Sequence, residues 1–211
     1  MIDLAAVAFA TLFVVIDPVG LVPLFAALTA GMAVRDRVKI AVRGTLIAFF
    51  ILALFAVAGE ALLSAMGIGM PAFRISGGAM LFLLALDMLF EGRSQRRERT
   101  AEGKGSGAGA EDPSVFPLAT PLIAGPGAMA AMILLTEGRR DDPVAMAVVL
   151  GVAAGVLVLC LVLFLLSLRL EKLLGPTGIR VVTRLMGVLL GALAIQFMLD
   201  GLTAAGLAPG G

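Results

Sequence analysis

Six stretches of this chain, at roughly 4–29, 38–60, 72–90, 114–136, 143–167 and 180–202, are long, almost uninterrupted apolar runs. A helix of about 20 residues, rising ~1.5 Å per residue, spans the ~30 Å hydrocarbon core of a bilayer. The chain is 60% hydrophobic and 15% charged with a mean hydropathy of +1.08, where a soluble domain carries about 25% charged residues. These lengths predict an all-α membrane protein with six transmembrane helices and the lipid bilayer as its principal partner. The first run lacks a cationic lead-in and a cleavage-like small-residue site, so it is expected to be a span and not a removable signal. With one cysteine, Cys160, and no histidine, neither a disulfide framework nor a transition-metal site is expected.

Two of the six runs break on proline and glycine. The first break reads Asp17-Pro18-Val19-Gly20-Leu21-Val22-Pro23, and the second Pro121-Leu122-Ile123-Ala124-Gly125-Pro126-Gly127. Interrupted segments in corresponding positions of two halves point to the binding site of a secondary transporter. Loose backbone groups at such depth are tolerated only inside protein or against a water-filled cavity.

Loop charge gives the expected orientation. Thirteen of the sixteen basic residues fall on the side opposite the N-terminus, leaving Arg74, Arg139 and Arg140 on the N-terminal side. The positive-inside rule then puts both termini outside the cytoplasm, in an inner (plasma) membrane. Residues 92–113, rich in Gly, Ser and mixed charge, read as a flexible cytoplasmic linker between a first three-helix repeat, 1–91, and a second, 114–211. Gly103-Lys104-Gly105-Ser106 lacks the spacing of a phosphate loop. No aromatic-interleaved basic surface suggests nucleic acid.

The two halves resemble each other. Gly20 aligns with Gly127, Leu28-Thr29 with Leu135-Thr136 and Gly31 with Gly138 at a spacing of 107; Arg74, Gly77 and Met88 align with Arg184, Gly187 and Met198 at 110. Three spans per half is an odd number, so the second half would enter from the opposite face. The repeats are then inverted, with helices 1 and 4 discontinuous.

At the first break, Asp17 before Pro18 reads as an N-cap with proline at N1, opening a new half-helix, with Pro23 one turn inside it. At the second, Gly125 takes the cap place, Pro126 follows, and the first N–H groups are left bare. One positive helix end would carry a carboxylate and the other none, which suits a zwitterion: its ammonium near Asp17, its carboxylate on the amides after Gly125. The candidate substrate-binding residues are Asp17, Pro18, Gly20, Thr120, Gly125, Pro126 and Gly127.

Asp17-Pro18-Val19-Gly20-Leu21-Val22-Pro23 resembles the Asn-Pro-x-Gly-x-x-Pro signature of the MarC family of integral membrane proteins. Pro117 to Gly127 resembles its second signature, and Arg74-Ile75-Ser76-Gly77-Gly78 and Arg184-Leu185-Met186-Gly187 are similar to its third and sixth spans. The resemblance covers the chain outside the linker. It implies a six-span bacterial inner-membrane protein with both termini outside. One archaeal branch is described as carrying glycine and alanine on a cation gradient. This chain has Asp17 where Asn is typical: either a proton site that other members lack, or a plain substitution.

Other readings stand beside these. Arg74 and Arg184, near helix ends, are expected to snorkel to the interface, Asp200 to be solvated, and Gln196 to bond a neighbouring helix. Thr29, Thr120 and Thr136 are expected to bond back to helix carbonyls. Gly151-x3-Gly155 and Gly187-x3-Gly191 fit close helix packing, within a protomer or in a homo-oligomer. No nucleophile–base pair or second deep carboxylate points to an enzyme. The function expected is secondary transport of a small neutral amino acid by alternating access, with no cofactor and with a proton or sodium ion as candidates for coupling. The alternatives are a non-transporting inner-membrane protein of the same fold, and an exporter of another small solute.

Overall fold

The computed structural model describes residues 1–90, 112–139 and 141–207; the body of the 92–113 linker, with Lys104, and also Arg140 lie outside the described residues. Every regular element among them is helical: α1 (Ile2–Ile16), α2 (Val22–Leu28), α3 (Val34–Ala65), α4 (Met70–Leu89), α5 (Ser114–Ile123), α6 (Pro126–Thr136), α7 (Pro143–Leu165) and α8 (Ser167–Ala204). Four stretches are long and apolar enough to cross a membrane: α3, α4, α7 and the Arg180–Ala204 part of α8. The other two apolar runs are each delivered as two shorter helices, α1 with α2 and α5 with α6. α8 is two helical pieces: Gly175, at φ 62 and ψ 173, kinks the chain before the run that starts at 180.

The helices stack in three layers. α3 and α7 pack together on one side and α4 and α8 on the other; α1, α2 and α6 touch both sides, and α5 packs on α3. The α4–α8 contact is the most extensive in the molecule, and it is antiparallel. Gly78 sits where a Cβ would come within 2.7 Å of the Ala194 carbonyl and of Met198, and Gly187 where it would come within 3.0 Å of Met88. Small residues let helix backbones approach where lipid supplies no hydrophobic drive between helices. Gly187-x3-Gly191 thus packs inside the protomer. Among the described residues nothing would lie within 4 Å of a Cβ at Gly151 or Gly155.

The middle layer is held at one end by aromatic and cationic contacts. Phe25 of α2 stacks on Phe164 of α7 at 4.6 Å, and the Arg37 guanidinium lies 5.9 Å from the Phe25 ring while donating to the Ser167 hydroxyl at 2.9 Å.

Three sequence expectations are corrected. Asp17 does not open a half-helix with Pro18 at N1. It closes α1 as the C-cap, at φ 54 and ψ 64, and the next helix begins only at Val22. The residue before proline is driven out of the right-handed helical region, and Asp is among the few L-residues that accept the left-handed one. Pro23 is not one turn inside the second helix but in its first turn, where a missing N–H costs no helical bond; Val22 N–H takes the Val19 carbonyl at 3.2 Å instead. Gln196 donates to Asp200 one turn along its own helix, at 2.7 Å, and not to a neighbour.

The positions matched in sequence behave alike locally. Thr29 and Thr136 are both buried, and each donates to the carbonyl four residues earlier at 2.8 Å. The backbone carbonyls of Thr29 and Thr136 themselves accept from the amides three residues on, Met32 at 3.2 Å and Arg139 at 3.1 Å. Gly31 and Gly138 follow in the left-handed region, at φ 75 and φ 64.

Candidate functional site

At the first break, Asp17 is 1% exposed. Its backbone N–H still bonds the Phe13 carbonyl at 3.0 Å, its carbonyl accepts from Leu21 at 3.1 Å, and its Oδ1 accepts from the Gly20 N–H at 3.1 Å. The carboxylate thus folds over a single turn of chain from Pro18 to Leu21 and caps it, although a regular helix does not start there. A Cβ on Gly20 would fall 2.0 Å from Asp17 Oδ2, so only glycine leaves the carboxylate this place. Pro18 is buried and Gly20 half-buried. The thiol of Cys160, buried in α7, lies within electrostatic reach of Asp17.

At the second break α5 ends at Ile123, and Gly125 stands as N-cap of α6 in an extended conformation with Pro126 at N1, as the sequence predicts. Among the described residues no side chain caps this end; the Gly125 carbonyl accepts from Met129 at 3.0 Å. Gly125 and Gly127 are half-buried and Pro126 is exposed. Thr120 is half-buried on α5, where its backbone is extended (φ −132, ψ 122) and interrupts the helix.

The breaks adjoin. A Cβ built on Gly127 would lie 3.6 Å from Val15 Cγ1, two residues before Asp17, and 3.2 and 3.3 Å from Leu81 and Leu84 of α4. The end of α1 therefore meets the start of α6, as segments 1 and 4 forming one site would require. Of the seven candidate residues, Asp17, Pro18 and Gly20 share one turn, Gly125, Pro126 and Gly127 share the other, and the Val15–Gly127 contact links the two. Thr120 stands on the preceding helix, five residues from Gly125.

A cavity of about 370 Å³ lies away from these residues, lined by Asp3 and Val7 of α1, Arg74 of α4, Leu135, Glu137 and Arg139 at the end of α6, and Asp200 of α8, among others. Arg74 does not simply reach outward: its Nε donates to Glu137 Oε2 at 2.6 Å, in a pair 31% and 18% exposed that joins α4 to the end of α6. Sequence reasoning passed over Glu137. Its signal was topological, since a six-span arrangement puts Asp3, Arg74, Glu137, Arg139 and Asp200 all at one end.

The sequence profile of the MarC family of integral membrane proteins matches residues 3–205. The chain belongs to the MarC family. Similar MarC-family relatives include a UPF0056 membrane protein of Archaeoglobus fulgidus, 37% identical over 92% of this chain and 90% of its own. YvbG of Bacillus subtilis, another UPF0056 membrane protein, is 35% identical over 92% of each chain. The UPF0056 inner membrane protein YhgN of Escherichia coli is 35% identical over 90% of this chain and 92% of its own. These names carry no substrate. No solved structure matches this MarC-family chain.

Proposed function

We propose that this MarC-family protein is a secondary transporter of a small neutral amino acid, of the glycine or alanine type, working by alternating access. The observation that carries the reading is the meeting of two helix breaks, one with a buried carboxylate and one with an uncapped helix start. An uncapped N-terminus attracts a carboxylate and Asp17 attracts an ammonium, so a zwitterion satisfies both. The absence of Trp, Tyr and His favours a small solute over an aromatic one.

Six crossings in two inverted three-helix repeats complete the proposal. In its support, each of the three layers pairs an element of the first half with its counterpart in the second, and the matched Thr and Gly positions share their local geometry. Contacts also respect the expected sides: Arg43 pairs with Asp112 at one end and Arg74 with Glu137 at the other. We propose further that both termini lie outside the cytoplasm in an inner (plasma) membrane, that no cofactor or catalytic step is involved, and that any coupling is to a proton or sodium.

Uptake of labelled alanine and glycine into proteoliposomes, under imposed proton and sodium gradients, tests the reading, with Asp17→Asn in parallel. Gradient-dependent uptake that vanishes in the mutant is expected if Asp17 holds charge. Uptake that survives leaves the carrier and reduces Asp17 to a turn-forming residue. Silence under every gradient from folded protein contradicts the reading.

A further inference from the structure

The charged cavity and the paired breaks are joined by one stripe of α1. Asp3, Val7, Thr11 and Val15 are spaced by four, so each neighbours the next one turn along α1 in a stripe that winds gradually around the helix. Asp3 and Val7 line the cavity, and Val15 lies against Gly127 at the second break. The facing stripe of α6 runs the other way: Leu135 lines the cavity, Ala131 is fully buried, and Gly127 meets Val15. Thr11 and Ala131, both buried, hold the middle positions of the two stripes.

Thr11 is the exception among the buried threonines described, which are Thr11, Thr29, Thr45 and Thr136. Thr29, Thr45 and Thr136 each donate to the carbonyl one turn earlier. The Thr11 hydroxyl, 1% exposed, has no hydrogen-bond partner among the described residues. An unmade bond at a buried hydroxyl costs about 1–3 kcal/mol, so such a group marks a place where a partner belongs. Cavity charge indicates the partner's chemistry. Three carboxylates, Asp3, Glu137 and Asp200, face two guanidiniums, and both guanidiniums are engaged: Arg74 by Glu137, and Arg139 by the carbonyls of Leu135 and Glu137 at 3.1 and 3.2 Å. The mouth therefore favours a cationic group.

We propose that the Asp3–Val7–Thr11–Val15 stripe, with its α6 counterpart, is the route by which a small ammonium-bearing solute passes between the cavity and the breaks, the Thr11 hydroxyl serving as its hydrogen-bonding step. The proposal rests on the reading that the breaks form the solute site.

Single cysteines placed on a Cys160→Ala background in proteoliposomes test it, using the cationic reagent methanethiosulfonate ethylammonium and its anionic sulfonatoethyl analogue. Thr11→Cys is expected to react about tenfold faster with the cationic reagent than Phe9→Cys, which is exposed on the opposite face of α1. Val15→Cys, one turn on, carries the same expectation should Thr11→Cys fail to insert. Val7→Cys should prefer the cationic reagent by about tenfold, and Asp3→Asn with Asp200→Asn should erase that preference. Thr11→Cys and Val15→Cys reacting no faster than Phe9→Cys overturns the route, and equal rates for both reagents at Val7→Cys overturns the cation-selective mouth. Labelling needs no transported solute, so its failure is separable from a failure of uptake.

Discussion

Asp17 must satisfy a left-handed backbone, a bond to the Gly20 amide and near-complete burial at once. Asp and Asn meet the first two, since both tolerate positive φ and both carry an acceptor. Asp17→Asn is therefore expected to fold with little change in thermal stability in detergent. Asp17→Val, β-branched and without an acceptor, should lose roughly 2–4 kcal/mol. A fold preserved in Asn and lost in Val separates turn formation from charge before any transport is measured. Gly20→Ala should also destabilise, because its Cβ would meet the carboxylate at 2.0 Å. Outside the membrane segments, Asp112 is held below the ordinary carboxylate range, first by the Ser114 hydroxyl and amide, with Arg43 adding to this against partial burial. A lowered pKa means that the stabilisation is present above the unfolded value near 4, and is lost as pH falls through the folded value below it. The Tm difference between native protein and Asp112→Asn should be present at pH 7 and close below about pH 4.

Among elements, the α4–α8 pair has the tightest approach. Gly78→Val would drive a side chain into the Ala194 carbonyl, and is expected to cost about 1–3 kcal/mol by denaturant titration in mixed micelles. Gly151→Ala, with nothing within 4 Å, should be neutral or stabilising by up to about 1 kcal/mol through helix propensity. If instead Gly151→Ala destabilises, that face of α7 is covered by another molecule. The helices were legible because unbroken apolar length has only one solution in hydrocarbon, and the breaks because Pro18 and Pro126 cannot be helix interior. The start of α2 was not legible. Whether Asp17 ends one helix or begins the next depends on its φ, which Asp-Pro alone leaves open. The Arg74–Glu137 pair and the silent hydroxyl of Thr11 were hidden for another reason: each depends on which helix faces which, and in so apolar a chain the faces carry little contrast.

For the molecule as a whole, the packing buries the end of α1 nearest its break and nearly all of α6, while the outer part of α1 stays exposed at Ile2, Val7 and Phe9. Short helices that could not each cross a bilayer alone pack against long ones that can. Thr29 with Thr136 and Gly31 with Gly138, matched in sequence, share their local geometry. The central claim is that α1's end and α6's start form one site whose two sides must move for solute to pass. The most direct test is a cysteine pair, Val15→Cys with Gly127→Cys on the Cys160→Ala background, followed by gel shift and by alanine uptake before and after reduction. The account predicts that the pair cross-links under mild oxidation, that cross-linked protein stops transporting, and that reduction restores uptake. Failure of the pair to cross-link in folded protein, or full uptake by cross-linked protein, would contradict it.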